Sequence, residues 1–248
     1  MDEFLNFLSV NYIWILIALI VVFVLAGIII ANFSYENFID IFEQSKNLPT
    51  NFNGSAFDLA CFISYKKFRR EIGVNIFEKT EKTSNGCYIP AQKTVNISNQ
   101  LANSNSVSSI AIVAHEFGHA IQHYEKPNIL QRNFALTKLV KILGFLNWPL
   151  FILAIVFVFL DNLTISAIFL ALIILFFVIA LCLKFATIKV EKDASKRAIS
   201  LLKELNLFSE KELNQIKKLL KSAKGTYIGD FFRALFSWTG LTKKTKIF

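Results

Sequence analysis

Residues 142–183 read ILGFLNWPLFILAIVFVFLDNLTISAIFLALIILFFVIALCL, two charge-free apolar runs (142–160 and 163–183) separated only by Asp161 and Asn162. A helix rises 1.5 Å per residue, so about 20 apolar residues cross the hydrocarbon core of a bilayer. A third run of this kind covers residues 12–31. We therefore predict three transmembrane helices, which accounts for an apolar content of 54% in a chain of 248 residues.

The lysines and arginines predict the orientation of these helices. None precedes the first run, twelve lie between the first and the second, none separates the second from the third, and fifteen follow the third. Because cytoplasmic loops carry the excess of basic residues, both basic blocks should face the cytoplasm. We expect a multi-pass protein of the cytoplasmic (inner) membrane, with residues 1–11 outside and residues 32–141 and 184–248 in the cytoplasm. The acidic start of the chain predicts an anchor rather than a cleaved signal peptide.

The formal net charge of +9 fits the same orientation and contact with the lipid bilayer. No nucleic-acid-binding motif accompanies the charge, so we expect no nucleic-acid partner. Cys61, Cys87 and Cys182 are odd in number and form no C-x-x-C pair, which predicts reduced, buried thiols. Cys87 stays open as a metal ligand, although a full ligand set is available without it.

All three histidines lie in the segment HEFGHAIQH, residues 115–123, whose first five residues form H-E-x-x-H. On a helix, His115 and His119 are about one turn apart and can bind one zinc ion, with Glu116 beside its water. We predict that this helix covers residues 107–124 and begins after an N-cap at Ser106. Upstream, segments 86–90 and 94–98 predict a β-hairpin, which is either an ordinary hairpin or a strand that pairs with substrate.

A catalytic zinc needs one more protein ligand and an open position for water. His123 lies about 12 Å along the helix from His115, too far for one ion to bind both. Glu191, in the charged segment 190–198, returns to the same side of the membrane as the histidines if residues 142–183 form a hairpin. Asp193 is the alternative, on roughly the opposite face of that helix. From spacing alone, Glu191 is either a ligand or an ordinary exposed carboxylate.

Three segments together resemble the bacterial membrane-bound neutral zinc metallopeptidases of the YugP type: HEFGHAIQH (115–123), LQRN (130–133) and EKDASKRA (191–198). More distantly, the chain is similar to the HtpX/Ste24 membrane gluzincins. The resemblance implies gluzincin-like chemistry with Glu191 as the third zinc ligand. Lys192 replaces an aromatic residue of the YugP-type pattern, and Ser195 stands where the HtpX/Ste24 proteins have an aspartate, so the residues that orient the ligands are expected to differ.

The expected fold is a mainly α integral membrane protein, whose cytoplasmic part is a zincin-like α+β catalytic region with a small β-hairpin. The expected function is that of a zinc endopeptidase with one catalytic ion, acting on peptides or membrane proteins near the cytoplasmic surface. Glu116 would take the proton of the attacking water and pass it to the leaving amine. The oxyanion donor stays open among four residues: Tyr88, Tyr124, Arg132 and Arg197.

Two other functions compete with this one, a non-catalytic zinc-binding scaffold or regulator and an intramembrane protease. The segment before His115 is too short for a transmembrane span and contains hydroxyl side chains, which disfavours an intramembrane protease. Near the C-terminus, residues 209–212 predict a capping box that opens a helix. Residues 226–241 predict an interfacial amphipathic helix, with a fourth membrane helix as the alternative.

Overall fold

The computed structural model describes residues 2–78 and 85–236, and within these ranges the side chains of residues 2–20, 23, 24, 31, 129, 224 and 227–236 lie outside the description. Within these ranges the elements are α1 (Asp2–Lys46), α2 (Ala56–Phe68), β1 (Gly73–Phe77), β2 (Gly86–Ile89), β3 (Thr94–Ser98), α3 (Asn99–Ala102), α4 (Val107–Glu125), α5 (Pro127–Phe159), α6 (Leu163–Leu205) and α7 (Glu210–Phe236). The fold is mainly helical, with one small sheet.

Among the residues that the structure describes, three helices are long and apolar enough to cross a membrane, with candidate spans at Leu25–Lys46, Leu130–Phe159 and Leu163–Leu205. Residues 142–160 and 163–183 are helical as predicted, apart from Leu160, which follows the end of α5. Large apolar side chains point outward along them, for instance Phe145 and Phe159 at 74% and 83% exposed. Such a surface suits contact with lipid rather than water. The predicted first span, 12–31, lies within α1, and most of its side chains fall outside the described residues.

The two longest helices extend well beyond the predicted spans. α5 already begins at Pro127, where the missing N–H group costs nothing because the first helical N–H groups have no partner within the helix. α6 continues past residue 183 for another 22 residues without a break. Between them, Asp161 adopts a left-handed backbone conformation (φ 52°), and Asn162 caps α6 by accepting a hydrogen bond from the N–H of Ile165 (3.2 Å). The chain thus reverses between α5 and α6 within a few residues.

The sheet contains the predicted hairpin and one strand that was not predicted. β2 pairs antiparallel with β3, from Gly86 opposite Ile97 to Ile89 opposite Thr94. β1 pairs parallel with the other side of β3, so the strand order is β1-β3-β2. The alternation of Val74, Asn75 and Ile76 after a glycine was the available signal for β1. β2 is therefore an edge strand among the described strands, and it contacts α4.

α4 is the central helix of the main hydrophobic core. It begins where predicted, since the Ser106 hydroxyl accepts a hydrogen bond from the N–H of Ser109 (3.3 Å). Ile110, Ile112 and Phe117 are fully buried, and α4 contacts α2, α6, α7 and both β2 and β3. Full burial of such a side chain contributes about 1.5–3 kcal/mol, so the helix is fixed by packing around its circumference. The side chains of α4 are therefore held at fixed positions, as a binding or catalytic site requires.

The predicted capping box at the start of α7 is confirmed. The Glu212 carboxylate accepts a hydrogen bond from the N–H of Ser209 (2.7 Å), and the Ser209 hydroxyl accepts one from the N–H of Glu212 (3.4 Å). Beyond it, Ile216 and Leu219 are fully buried, as expected of a scaffold helix. The backbone of α7 continues to Phe236 without a separate start near residue 226. The interfacial helix predicted for 226–241 otherwise lies outside the described residues.

The three cysteines are free thiols, as predicted, but none of them is fully buried. Cys61 and Cys182 are exposed, and Cys87 is partly buried. The prediction of burial was wrong because it took the apolar surroundings of these residues for a protein interior. Cys182 lies on the outward surface of a membrane-length helix, where an apolar side chain faces lipid at no hydration cost.

Candidate metal centre

Three predicted site residues meet at one point between α4 and α6. The Nε2 atoms of His115 and His119 lie 3.4 and 3.3 Å from the same carboxylate oxygen, Oε2 of Glu191. The three ligand atoms all lie within 4.8 Å of one another. The two imidazole rings are 4.7 Å apart between centroids and nearly perpendicular. The structure therefore brings Glu191 to the histidine pair across 72 to 76 residues of sequence.

The donor atoms of this cluster suit a zinc ion. Zinc prefers imidazole nitrogen and carboxylate oxygen ligands at about 2.0–2.1 Å, and two ligands of one tetrahedral ion are then about 3.3 Å apart. The observed nitrogen–oxygen separations of 3.4 and 3.3 Å match that value. Three protein ligands leave a fourth position open, which is the pattern of catalytic rather than structural zinc sites.

The electrostatics of the cluster favour a bound cation. Burial opposes the charged form of His119, but the Glu191 carboxylate outweighs this and raises the pKa of His119 to about 9. Burial likewise opposes the charged form of Glu191, yet the two histidines hold its pKa well below the usual range. The carboxylate is therefore ionised at neutral pH and attracts positive charge. A divalent cation can take the place of the proton on His119.

A close approach of two helices explains how Glu191 reaches the histidines. A Cβ atom added to Gly118 would lie 2.3 Å from the backbone oxygen of Ala194, a distance that no side chain tolerates. Glycine at this position lets α4 and α6 touch backbone to backbone, one turn from the ligands on both helices. In the sequence, Gly118 occupies a variable position of H-E-x-x-H, so the motif gave no sign of this role.

The remaining ring nitrogens of both histidines are hydrogen-bonded within the chain. Nδ1 of His119 lies 3.0 Å from Oε1 of Gln122, and Nδ1 of His115 lies 3.3 Å from the hydroxyl of Ser195. Such partners set the orientation of a ligating imidazole and leave its Nε2 for the metal. Ser195, on the same helix as Glu191, thus contacts one of the two candidate histidine ligands. Sequence reasoning missed Gln122, whose one sign was its place on the same helical face as His119.

Glu116 is buried beside the cluster and is held by the edge strand. Its Oε2 atom accepts a hydrogen bond from the backbone N–H of Tyr88 in β2 (2.7 Å). The strand can lie this close because Gly86 has no side chain, since a Cβ atom there would be 2.9 Å from Ile112 and 3.3 Å from Glu116. The carboxylate of Glu116, the predicted general base, therefore lies between its own helix α4 and the edge strand β2.

The three alternative ligands lie outside the cluster formed by the described residues. Nδ1 of His123 is 2.8 Å from the Tyr88 hydroxyl, as suits a residue that supports the site rather than ligates. The Asp193 carboxylate accepts hydrogen bonds from Gln122 and Arg197. Burial and then the nearby Glu116 carboxylate raise the pKa of Cys87, so its sulfur stays a thiol, whereas the thiolate is the ligating form.

The four candidate oxyanion donors differ in their surroundings. Arg197 is engaged by Asp193 and Glu125, each at 2.7 Å. Tyr124 is 64% exposed and packs edge-on against Phe68, and Arg132 is exposed on α5. Tyr88 is buried, and burial raises its pKa to about 12, so its hydroxyl stays protonated at neutral pH. Of the four, Tyr88 is the residue in direct contact with Glu116, through its backbone.

Comparison with known proteins agrees with this geometry. Residues 12–242 match the model of a family described as "putative neutral zinc metallopeptidase". A relative from Bacillus subtilis (strain 168), named "putative membrane protease YugP", is 28% identical over 149 residues, which cover 60% of this chain and 63% of that relative. The chain therefore matches less than two thirds of the relative's length. No solved structure matches. Because the family model covers nearly the whole chain, the chain belongs to this family of neutral zinc metallopeptidases.

Proposed function

We propose that the chain is a membrane-anchored, zinc-dependent endopeptidase whose site faces the cytoplasmic surface of the membrane. The observation that carries the proposal is the convergence of His115, His119 and Glu191 beside Glu116. Family membership and the name of the B. subtilis relative support the same class of activity. The two imidazoles and the Glu191 carboxylate would hold one zinc ion, which supplies Lewis-acid activation of water and of the scissile carbonyl.

Glu116 is the general base of this proposal. One of its oxygens is held by the N–H of Tyr88, which fixes the carboxylate without neutralising it. The carboxylate can then take a proton from the attacking water and give it to the leaving amine. Because Glu116 directly follows His115 in α4, its backbone is held at a fixed position beside the cluster.

The edge of β2 is the proposed docking position for the substrate backbone. Among the described strands, β2 pairs with β3 on one side only, and its Tyr88 contacts the general base on the other. An extended peptide that adds to this edge would place a peptide bond beside Glu116. This contact puts the edge of β2 beside the general base, so of the two interpretations left open by the sequence we propose the substrate strand, which would pair through edge groups other than the N–H of Tyr88.

The position of the site relative to the apolar part of α6 suggests the class of substrate. α6 is continuous, so Glu191 lies seven residues, about 10 Å, along the helix beyond Lys184, where the apolar run has ended. We therefore propose that the substrates are peptides or membrane proteins with cleavable segments close to the membrane. Equal turnover of soluble and membrane-tethered forms of one peptide would contradict this.

The test of the proposed activity is a pair of substitutions in α4. Glu116→Gln should keep the zinc content of the purified protein and lose peptide hydrolysis by about 10²- to 10⁴-fold, the usual contribution of a positioned acid–base group. His119→Ala should lose both zinc and hydrolysis. Metal analysis and a peptide-cleavage assay measure the two quantities. Undiminished turnover by Glu116→Gln would contradict the proposed peptidase mechanism. A native protein that binds zinc but hydrolyses no peptide would favour the alternative of a non-catalytic scaffold or regulator.

A further inference from the structure

Gln122 is a buried amide that the hydrolytic chemistry does not use. It is 1% exposed and lies between α4 and α6, three residues after His119. Its Oε1 atom is 3.0 Å from Nδ1 of His119, and its Nε2 atom donates to the backbone oxygen of Val190 and to the Asp193 carboxylate, both at 2.8 Å. A single side chain thus contacts one metal ligand and the residue next to another.

The partners of Gln122 fix which way the amide faces. Val190 O and the Asp193 carboxylate are both acceptors, so the amide must present its NH₂ group to α6. Oε1 then faces His119 and can only accept, which places the hydrogen of the imidazole on Nδ1. Nε2 then faces the cluster with Glu191, and its lone pair becomes available for ligation when a cation displaces the proton there.

On the α6 side the contact is tightly held. Asp193 accepts a second hydrogen bond from Arg197, which also pairs with Glu125 at the end of α4, at 2.7 Å in both cases. The chain of contacts from His119 through Gln122, Asp193 and Arg197 therefore returns to α4. Two α4 residues, Gly118 and Gln122, hold the same segment of α6, one by backbone contact and one by hydrogen bonds.

We propose that Gln122 is a positioning residue that sets the orientation of His119 and, with the same amide, holds α6 where Glu191 completes the metal site. This inference rests on the proposed function, because it assumes that the cluster binds zinc. The proposed role requires both the oxygen and the NH₂ group of the Gln122 amide. A glutamate at this position could still accept the hydrogen of His119, but its second oxygen would face Val190 O and the Asp193 carboxylate, which are acceptors as well.

The requirement for both ends separates this role from simple orientation of a histidine. A carboxylate partner usually raises the basicity of a ligating imidazole, so Gln122→Glu would preserve or strengthen zinc binding if orientation were its whole role. If the amide also holds α6, Gln122→Glu should weaken binding. The double substitution Gln122→Glu with Asp193→Asn supplies an NH₂ group from the other side and should recover part of the loss. In the native protein Oδ2 of Asp193 accepts from both Gln122 and Arg197. With Asn at position 193, the NH₂ group would donate to the new carboxylate at position 122 and Arg197 would shift to the amide oxygen, which is why only part of the loss is recovered.

The experiment measures zinc dissociation constants of the full chain in detergent by competition with a chelator, together with the visible absorption of the Co²⁺-loaded protein. Gln122→Leu should weaken zinc binding about 10- to 100-fold, the usual effect of losing a partner of a ligand. Gln122→Glu should lose at least as much and change the Co²⁺ spectrum. The double variant should bind at least about threefold more tightly than Gln122→Glu alone. Gln100→Leu, at an exposed position in α3, is the matched control and should bind like the native protein.

The possible outcomes separate a failure of this inference from a failure of the proposed function. A native protein that binds no zinc would overturn the proposed metal site itself. A native protein that binds zinc, with Gln122→Glu binding equally or more tightly, would overturn the two-ended role of the amide. The same conclusion would follow if the double variant showed no recovery. Melting temperatures of the metal-free variants show whether the fold is kept, and if Gln122→Leu does not fold, the two glutamate variants decide.

Discussion

The two halves of α6 form opposite kinds of surface. Between residues 163 and 183 the helix pairs with α5 and exposes large apolar side chains, among them Ile168 and Ile174 at 55% and 58%. Between residues 184 and 205 it packs on α4 through small residues, with Ala194 and Ala198 fully buried, and it contributes Glu191 to the candidate metal centre. One continuous helix thus carries first an outward apolar surface and then one wall of the candidate metal centre.

The difference shows where the chain depends on particular residues. In the apolar half, hydrophobicity and helix length are the requirement, and many side chains satisfy it. In the half that packs on α4, the separation of the helices is set by Gly118 against Ala194 and the polar contacts are set by single donors and acceptors. We expect substitutions in this second half to change metal binding, and substitutions in the apolar half to leave it alone.

The largest contrast is expected for Glu191→Ala. Removing a ligand from a three-ligand site should abolish stoichiometric zinc binding, and the loss of several kcal/mol of metal catalysis should lower turnover by at least about 10³-fold. Metal analysis and a peptide-cleavage assay check this. Glu204→Ala is the control on the same helix, since its exposed ion pair with Lys67 is worth at most about 1 kcal/mol. Full zinc content in Glu191→Ala would mean that another residue completes the site.

Two glycines offer a matched test of the contact between α4 and α6. Gly118→Ala places a Cβ atom against the backbone of Ala194, and such overpacking costs about 1–3 kcal/mol, more than the helix propensity of alanine returns. We expect a lower melting temperature and weaker zinc binding. Gly144→Ala on α5 meets no heavy atom within 4 Å, so it should leave zinc binding unchanged and keep or raise the melting temperature through the helix propensity of alanine. If the two variants behaved alike in thermal unfolding and zinc titration, the close approach would not hold the site together.

The smallest effect is expected within the apolar hairpin. The Ser166 hydroxyl donates to the backbone oxygen of Ala154 across α5 and α6 (2.9 Å), and contacts of this kind in membrane proteins average about 0.6 kcal/mol. Ser166→Ala should therefore lower the free energy of unfolding by about that amount and leave the zinc dissociation constant unchanged. A change in zinc binding here would show that the two halves of α6 are coupled more strongly than their contacts suggest.

Local patterns predicted the parts of the fold that local physics determines. The spacing of His115 and His119, the N-cap at Ser106 and the capping box at Ser209 all depend on residues within one or two turns. The hairpin of β2 and β3 is equally local. Charge distribution further indicated that Glu191 could share a side of the membrane with the histidines, and the structure brings these residues together.

The missed features all depend on partners that are distant in sequence. Gln122 looks like an ordinary polar helix residue until α6, 68 residues away, supplies Val190 O. Gly118 is required because the backbone of Ala194 lies against it. β1 is stabilised by pairing with β3, although β2 lies between them in the sequence. The outward position of Cys182 likewise depends on how α5 and α6 pack. No periodicity within a single segment carries such information, because tertiary contacts override local propensity.

The backbone contact between β2 and the general base has a consequence for how this site can change. Nineteen of the twenty amino acids carry an N–H group at position 88, so nearly any replacement of Tyr88 retains the hydrogen bond to Glu116. The phenol and its contact with His123 can vary independently of that bond. Position 88 is therefore a place where the side chain packed against His123 can be altered, by natural variation or by design, while the carboxylate of Glu116 stays anchored.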